Sequence, residues 1–512
     1  MIDSAEMPGD LATAHAMIAG LREAMGHRDV EVARLTMIIR KLTRRQFGQS
    51  AERLDPDQLA LGLDDLETGV AMAEVNAESL GATLKASRVQ RAGVKRGKLP
   101  GHLPRIEVVV DIDDKTCPCC GGALHAIGED RAERLDVIPS QFRVLVTRRP
   151  KYACRSCTDG VVQAPAPARL IEGGLPTEAM IAHVLVSKYA DHLPLYRQHQ
   201  ILARQGVDID RSCLADWVGR AAFALRPVTE RLLTHLNQSP KLFCDETIAP
   251  VLDPGRGKTK KGYLWAIARD DRPWKGPEPP GVVFVYAPGR GGEHATRALD
   301  GFSGVLQVDG YGAYSALAKS RRPDAPLDLA FCWTHWRREF FDLAKSGHAP
   351  IATEVVTRIA AFYAVEAEIR GHSADERRAR RQSTTKSLVD DLFAWLETRL
   401  DRIPQKGELA DAIRYGLKRR VGLCRFLDDG RLEMDNNTVE RAIRPITLNR
   451  KNALFAGSDE GGIAWGVVAS LIETCKLNGV EPLAYLTDVL TKLVQGWPAS
   501  RIDDLLPWAY VS

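Results

Sequence analysis

Three acidic residues, far apart in the chain, are candidates for holding the metal ions of a phosphoryl-transfer reaction. Asp245 lies in a predicted strand, Asp309 ends another, and Glu440 lies on a later predicted helix. Carboxylates are the ligands that ions such as Mg²⁺ or Mn²⁺ prefer. Two such ions about 4 Å apart activate an attacking hydroxyl and stabilise the leaving oxygen. The intervals of 64 and 131 residues are too long for a local motif, and the second leaves room for an inserted helical domain.

The two aspartates have competing interpretations. Glu246 adjoins Asp245, but neighbours in a strand point to opposite faces of the sheet, so only one of them can face the site. Asp309 and Gly310 could form a simple turn at a strand end. Both alternatives remain open on the sequence alone.

The third acid is also ambiguous. Asn437 and Glu440 match the spacing of a capping box, in which the glutamate would only cap its own helix. Asp435 is an alternative third acid.

Two Cys-x-x-Cys pairs predict a structural zinc site. Cys117 and Cys120 precede Cys154 and Cys157, and each pair brings two thiolates to one side of a tight loop. Four sulfur ligands form the closed tetrahedral shell that structural Zn²⁺ prefers. Cys119 competes for the first pair, but its spacing to Cys117 is wrong for this loop.

A second cysteine motif, Cys332-x-x-His335, favours a packed thiol and a hydrogen-bonded histidine over a metal site, because no further ligands are visible. His335 could instead lie near the scissile phosphate. Trp333 and Trp336 could stack on an unpaired base, although core packing is favoured for at least one of them.

Several cations are candidate DNA contacts. Between Lys85 and Glu107 there are seven Lys or Arg and one acid, whereas Glu52 to Glu78 contains eight acids and one Arg. A basic arm of this kind can neutralise phosphates, although two solvated linkers of opposite charge would look the same. Cations also follow the third acid, where they could contact phosphates or pair with the catalytic carboxylates. The candidates are Arg96, Lys98 and Arg105 in the arm, and Arg441, Arg444, Arg450 and Lys451 beside Glu440.

The predicted fold class is multidomain α+β. Three strands, a helix, a strand, a helix and a further strand between residues 240 and 345 follow the order of a ribonuclease-H-like sheet. Upstream, a helix ending at Gly206 and a second helix near Ser212 have the pattern of a helix-turn-helix. The predicted parts are a zipper-like helix (1–50), a linker and basic arm (51–104), a zinc-binding ribbon (105–165), a helical DNA-binding region (170–237), a catalytic domain (238–465) with a helical insertion at about 345–430, and a C-terminal helical tail (466–512).

The composition of the 512 residues is that of an ordinary folded protein, with 45% hydrophobic and 27% charged residues and a net charge of +4. The N-terminal residues do not match a signal peptide, and the longest weakly polar run, 461–472, is too short to span a bilayer. We therefore expect a cytoplasmic protein without a membrane partner.

Several segments together carry a family resemblance: Cys244–Thr247, Val308–Tyr314, Cys332–Arg338, and above all Asp435–Pro445, which continues through Arg450–Asn452 to Leu454–Ser458. With them, the chain resembles the large transposase of the insertion sequence 66 family over nearly its whole length. The resemblance implies Asp-Asp-Glu chemistry, and by position in these motifs it assigns the acids to Asp245, Asp309 and Glu440.

The resemblance also implies partners. The substrate would be double-stranded DNA, both the terminal repeats of the element and the target. We expect a homo-oligomer because two ends are joined in one event, and the family implies two small accessory proteins. A nuclease that cuts without joining and a zinc-containing DNA-binding regulator with an inactive catalytic fold are the alternatives.

Overall fold

The structure is a computed structural model that describes residues 142–153, 161–253, 258–321, 325–345 and 347–510. The chain divides into two compact units, Met1–Val146 and Thr147–Ser512. Nearly all described residues belong to the second unit, which has a mixed α+β architecture.

A five-stranded sheet is the centre of this unit, with the strand order β5-β4-β3-β6-β7. The first three strands pair antiparallel, whereas β6 is parallel to β3 and to β7. The strands are β3 (Lys241–Asp253), β4 (Lys258–Arg269), β5 (Gly281–Ala287), β6 (Gly304–Val308) and β7 (Leu327–Phe331). Each strand was expected from its run of apolar residues, and the order of the elements is the predicted one. A short hairpin, β1 (Lys151–Ala153) and β2 (Val161–Gln163), precedes it.

Helices connect and cover the strands. Three helices precede the sheet: α1 (Glu178–Tyr189), α2 (Leu195–Arg204) and α3 (Arg211–Asn237). The connections within the sheet are α4 (Gly292–Ala298) and α5 (Gly312–Ser320), and α6 (Trp333–Ala344) follows β7. After the insertion come α12 (Asn437–Ala453), α13 (Asp459–Leu477) and α14 (Pro482–Val494), then 3₁₀ turns at Ala499–Leu505 and Pro507–Ala509.

The predicted helical pair upstream of the sheet is confirmed as two helices joined by a glycine turn. Gly206 has a φ of 77°, a left-handed conformation that favours glycine after a helix. The carboxylate of Asp210 then accepts a hydrogen bond from the backbone N–H of Ser212 at 2.7 Å, which caps α3.

The outer edge of β5 is covered by α13. Hydroxyl side chains of this helix make the hydrogen bonds that a further strand would make. Ser470 accepts a hydrogen bond from the N–H of Phe284 at 2.8 Å. Thr474 accepts one from the N–H of Val282 and donates to its carbonyl, at 3.1 and 3.0 Å. Covering an edge in this way prevents another chain from pairing with it. The predicted boundary between the catalytic domain and the tail, at residue 465, falls inside α13.

The insertion is helical, as expected, and has its own core. Its elements are α7 (Pro350–Ile369), α8 (Ala374–Arg380), a π-helical turn at Arg381–Thr385, α9 (Lys386–Leu400), α10 (Glu408–Lys418) and α11 (Arg420–Asp428). Buried aromatic side chains of α6 and of the insertion pack together in this core. Removing this aromatic surface from water contributes roughly 25 cal/mol per Å².

Two buried arginines join the insertion to the segment that leads into α12. The guanidinium of Arg381 donates two hydrogen bonds to Glu366, at 2.7 and 2.6 Å, and one to the carbonyl of Leu432 at 2.9 Å. Arg377 donates to Glu433 at 2.9 Å. Both arginines are at most 1% exposed. The insertion thus fixes residues 432–433 in the segment that leads into α12, the helix that carries Glu440.

Two further expectations can be compared with the structure. The run Gln141–Val146, between the two cysteine pairs, predicts a strand, but residues 142–146 have no regular secondary structure. Among the described residues, no helix is long and apolar enough to cross a membrane.

Candidate functional site

Asp245 and Asp309 are brought together by the parallel pairing of β3 with β6. The register pairs Phe243 with Gln307, and two residues further along each chain are Asp245 and Asp309. Because side chains alternate between faces along a strand, Asp245 lies on the same face as Phe243. On that face, Gln307 donates a hydrogen bond to the carbonyl of Glu433 at 2.8 Å, in the segment that leads to α12.

Glu246 points to the other face of the sheet, as strand alternation predicts. Its carboxylate accepts hydrogen bonds from Tyr314 at 2.8 Å and from Arg290 at 2.6 Å. The side chain is only 1% exposed. The guanidinium of Arg290 also lies 3.9 Å from the ring centroid of Tyr311. Glu246 is therefore held in a structural network.

Glu440 lies in the first turn of α12, and its side chain does not cap the helix. The capping-box interpretation is wrong because the N-cap residue is Asn436 and no side-chain cap hydrogen bond forms. Asn437 instead donates two hydrogen bonds to Asp435, at 3.1 Å from its backbone and 2.7 Å from its amide. Asp435 is thus occupied as the acceptor of a local turn, which leaves Glu440 free for another role.

The carboxylates influence one another electrostatically. Burial, together with the negative charges of Asp309, Glu246 and Glu440, raises the pKa of Asp245 to about 8. Burial also raises the pKa of Asp435 to about 6. A carboxyl group that is costly to ionise among like charges is the state expected of an acidic metal site without its cations.

The turn after β6 fixes Asp309. Its carboxylate accepts a hydrogen bond from the N–H of Tyr311 at 2.8 Å, so the predicted turn exists alongside the acidic cluster. Gly310 has a φ of 106°, and a Cβ there would lie 2.4 Å from the hydroxyl of Tyr415. Tyr415 donates to the carbonyl of Asp309 at 2.9 Å, and Arg419 donates to that of Gly310 at 3.4 Å. The insertion therefore holds the backbone of Asp309 in place through hydrogen bonds.

The structure places His335 beside Glu440. The Nδ1 atom of His335 lies 3.7 Å from Oε1 of Glu440. Within the described ranges, Cys332, His335 and Glu440 are the one group of three side chains whose ligand atoms all lie within 4.8 Å of one another. Asp245 and Asp309 are outside this group. Two ions about 4 Å apart spread their ligands more widely than a single ion does.

The two tryptophans of this motif belong to the core, so base stacking is wrong for both. Trp333 and Trp336 have no exposed surface. Their indole N–H groups donate to the carbonyls of Leu423 and Ala412, each at 2.8 Å. Both tryptophans hold α6 against the insertion.

The predicted DNA contacts near Glu440 lie along α12. Arg441, Arg444 and Lys451 are exposed on this helix. Arg450 donates to the carbonyl of Ile248 at 2.6 Å, which ties α12 to β3. Two further predicted sets lie outside the described residues: the arm cations Arg96, Lys98 and Arg105, and the predicted zinc ligands Cys117, Cys120, Cys154 and Cys157.

Sequence reasoning missed the residues that fix the acids from a distance. Arg290 follows β5 in a glycine-rich loop, and Tyr415 and Arg419 belong to the insertion. Each of them is far in sequence from the acid that it holds in place. An Arg or Tyr on a predicted helix or loop also carries no local signal of such a role. Asn436 could have been noticed from the sequence, because it lies in the polar run Asp435–Asn437. In the structure its amide donates a hydrogen bond to the carbonyl of Cys244 at 3.1 Å.

Comparison with known proteins decides the family. The family model described as Transposase IS66 family matches residues 173–464, more than half of the chain and the whole of the five-stranded sheet. The chain belongs to the IS66 transposase family. The IS66 C-terminal element matches residues 470–508, and the model described as Transposase C of IS166 homeodomain matches residues 34–108. Membership in this family makes DNA the partner of this IS66 protein.

The relatives of this IS66 chain extend over nearly its full length. The uncharacterized protein y4qI of Sinorhizobium fredii is 46% identical over 98% of this chain and 93% of its own length. The uncharacterized protein y4jD of the same organism is 44% identical, over 98% of this chain and 97% of its own length.

The zinc-finger binding domain of transposase IS66 matches residues 114–158, which include the four predicted cysteine ligands. This match supports structural zinc in the IS66 protein. Four thiolates leave no open position on the ion, so a zinc held by them stabilises the fold and takes no part in the reaction.

Proposed function

We propose that this IS66 protein is an Asp-Asp-Glu transposase that cleaves the ends of its element and joins them to target DNA in a metal-dependent reaction. The observation that carries the proposal is the acidic cluster of Asp245, Asp309 and Glu440. The charges of the other two acids add to burial in raising the pKa of Asp245 to about 8. Such a cluster is stabilised by divalent cations, which is why it suits phosphoryl transfer.

The fold proposed for the catalytic domain is ribonuclease-H-like. Three antiparallel strands followed by two parallel strands, in the order β5-β4-β3-β6-β7, support this assignment. It accounts for the positions of the acids, because the first and fourth strands of the region are neighbours. We further propose the domain divisions predicted from the sequence, except that the last boundary must lie outside α13, which spans residue 465. The proposed parts are a zipper-like helix, a basic arm, a zinc ribbon, a helical DNA-binding region, the catalytic domain and a tail.

The residues present fit Mg²⁺ or Mn²⁺. Asp245, Asp309 and Glu440 offer hard oxygen ligands, and the repulsion around Asp245 is relieved when a cation binds. Bound ions would activate the attacking water or 3′-hydroxyl and stabilise the leaving 3′-oxygen.

The chain itself would position these carboxylates and the DNA. The sheet register aligns the two aspartates, Tyr415 and Arg419 hold the backbone after β6, and α12 carries the third acid. The exposed Arg441 and Arg444 of α12, with Lys451, are proposed phosphate contacts that orient the substrate. Attack by water would free a 3′-hydroxyl, which then attacks target DNA without a covalent enzyme intermediate.

We propose three kinds of partner for this reaction. The arm cations Arg96, Lys98 and Arg105, the zinc ribbon and the helical pair α2 and α3 would bind the terminal repeats. Two ends must be joined in one event, so the active form would be a homo-oligomer. Two small accessory proteins of the same element are further proposed partners.

A strand-transfer assay with the ends of the element tests this proposal. We expect Mg²⁺-dependent joined products from the wild type and none from Asp309→Asn or Glu440→Gln, while both variants still bind DNA. Asp435→Asn is the matched control, because Asp435 accepts hydrogen bonds from Asn437, and we expect it to retain joining. Joining by Glu440→Gln but not by Asp435→Asn would reassign the third acid. Cut but unjoined DNA from the wild type, with the accessory proteins present, would indicate a nuclease.

A further inference from the structure

The N-terminal ends of two helices, α6 and α12, meet beside the acidic cluster. Cys332 is the N-cap residue of α6, and His335 lies three residues later on the same side. The N–H of Asn436, the N-cap residue of α12, donates to Sγ of Cys332 at 3.3 Å. The N–H of Trp333 donates to the carbonyl of Met434 at 3.0 Å. These contacts fix Cys332 and His335 against the start of the helix that carries Glu440.

Two buried polar atoms face each other at this junction without a partner. Nδ1 of His335 and Oε1 of Glu440 are both inaccessible to solvent, and within the described part of the chain neither makes a hydrogen bond. Their separation of 3.7 Å is too long for a direct hydrogen bond, and it is within the range of an ion pair only when His335 is protonated. A buried polar atom without a hydrogen-bond partner is destabilising, so two such atoms facing each other indicate a missing partner.

A metal ion bound between these two atoms would give each of them a bonding partner. The thiol of Cys332 would be its third ligand. Ligand atoms of Cys332, His335 and Glu440 all lie within 4.8 Å of one another. Bonds of about 2.0–2.3 Å around a tetrahedral ion place its ligands roughly 3.3–3.8 Å apart, so small side-chain movements would complete the site. The aligned N–H groups of two helix N-termini favour the negative charges of the thiolate and the carboxylate.

We propose that Cys332, His335 and Glu440 form a binding site for a thiophilic divalent ion of the Zn²⁺ class, separate from the zinc ribbon and from the Mg²⁺ site. A sulfur and an imidazole ligand select Zn²⁺, Co²⁺ or Fe²⁺ over Mg²⁺. Burial makes the free thiol neutral, so binding releases the proton of Cys332 to solvent.

Glu440 would serve both this site and the acidic cluster. An ion held at Oε1 draws the carboxylate towards His335 and adds positive charge beside Asp245 and Asp309. Zn²⁺ would therefore raise the Mg²⁺ concentration needed for DNA joining, a consequence that rests on the proposed function.

Co²⁺ absorption tests the site without reference to activity. The full-length protein is first loaded with one equivalent of Zn²⁺, which occupies the ribbon because four thiolates bind Zn²⁺ more tightly than one thiolate, one imidazole and one carboxylate do. Co²⁺ added later does not displace this Zn²⁺, because Zn²⁺ binds such ligands more tightly than Co²⁺ does. Titrated Co²⁺ should then produce one further equivalent of the thiolate-to-cobalt charge-transfer band. We expect Cys332→Ser to abolish the band and His335→Gln to weaken Co²⁺ binding at least about tenfold. Cys475→Ser, which removes another buried thiol, should leave the band unchanged.

Each outcome decides a different part of the proposal. A wild type that shows no band beyond the ribbon equivalent, or a band that survives in both Cys332→Ser and His335→Gln, would overturn the site. His335→Gln keeps the test valid if Cys332→Ser does not fold. A band without any change in the Mg²⁺ requirement would overturn the competition and leave the site in place. Loss of joining in the wild type without added Zn²⁺ would count against the proposed function, not against the site.

Discussion

Asp245 and Glu246 are adjacent carboxylates on one strand with opposite environments. Glu246 is buried and accepts hydrogen bonds from Tyr314 and Arg290, which oppose the increase of its pKa that burial causes. Around Asp245, the side chains that add to burial in raising its pKa are all acidic, whereas the backbone N–H of Glu246 lowers it. The carboxylate of Asp245 accepts that N–H at 2.8 Å.

The hydrogen-bond partners and neighbouring charges of the two carboxylates separate the structural acid, Glu246, from the proposed metal ligand, Asp245, more clearly than their burial does. Glu246 has the partners that a buried carboxylate needs for a stable fold, since a buried charge without a partner is costly. Asp245 lies among other acids, an arrangement that costs stability until a cation binds. The repulsion between Asp245 and the neighbouring acids is not relieved by any cation in the described part of the fold. We therefore expect metal ions on the face of β3 that carries Asp245.

The largest expected effect on stability is a pH-dependent gain from Asp245→Asn in Mg²⁺-free buffer. The pKa of Asp245 rises from 3.8 to about 8 on folding, so the folded state binds this proton more tightly than the unfolded chain does. Its contribution is complete below pH 3.8 and is lost as the pH rises through about 8. Asparagine does not ionise and escapes this loss. Thermal unfolding at several pH values should show that the gain of the variant over wild type grows to a few kcal/mol as the pH rises from about 4 to about 8, and then levels off.

The control for this experiment is Asp216→Asn, which makes the same change in an exposed i,i+4 pair with Arg220 on α3. Its difference from wild type should stay nearly constant over the same pH range. Parallel curves for Asp245→Asn and wild type would contradict the account of Asp245.

A smaller loss of stability is expected from Arg290→Ala, because it leaves the nearly inaccessible carboxylate of Glu246 without its cation. Removing one partner of a buried charged hydrogen bond costs about 1–3 kcal/mol, and the partial exposure of Arg290 favours the lower half of that range. Chemical denaturation measures the change. Adding Glu246→Gln should recover part of the loss, since it removes the unpaired charge. If the double variant were less stable than Arg290→Ala, Glu246 would not depend on this cation.

The smallest effect is expected from Tyr314→Phe. This change removes the hydrogen bond of 2.8 Å to Glu246 and a longer one of 3.5 Å to Sγ of Cys244. It keeps the aromatic ring, which packs edge-on against Trp265. We expect a loss of about 0.5–1.5 kcal/mol in the free energy of unfolding, with DNA joining nearly unchanged. A joining defect as large as that of an acid variant would place the Glu246 network in the catalytic machinery and remove the contrast between the two carboxylates.

Much of the sheet could be predicted from the sequence, because each strand is a short apolar run and the acids end or interrupt these runs. The alternation of side chains also predicted that Asp245 and Glu246 would face apart. Alternation alone could not tell which of the two carboxylates faces the proposed metal site. The residues that donate hydrogen bonds to Glu246, Arg290 and Tyr314, are 44 and 68 residues away in the chain.

The third acid shows a different limit of sequence reasoning. The spacing from Asn437 to Glu440 fits a capping box, and only the structure shows that Asn437 turns back to Asp435 instead. Likewise, the contact between His335 and Glu440 joins two helices separated by the whole insertion. Burial of Trp333 and Trp336 depends on that insertion, whose helices supply the carbonyl partners of both indoles.

The most direct test of the contrast on β3 is a strand-transfer assay that compares Asp245→Asn with Glu246→Gln under saturating Mg²⁺. Loss of a metal ligand removes several kcal/mol of stabilisation from the reaction, and each 1.4 kcal/mol is about a tenfold change in rate. We predict that Asp245→Asn joins DNA at least about 100-fold more slowly than wild type, and that Glu246→Gln remains within about tenfold. Efficient joining by Asp245→Asn, or an equal loss in both variants, would contradict the assignment of Asp245 to the metal site.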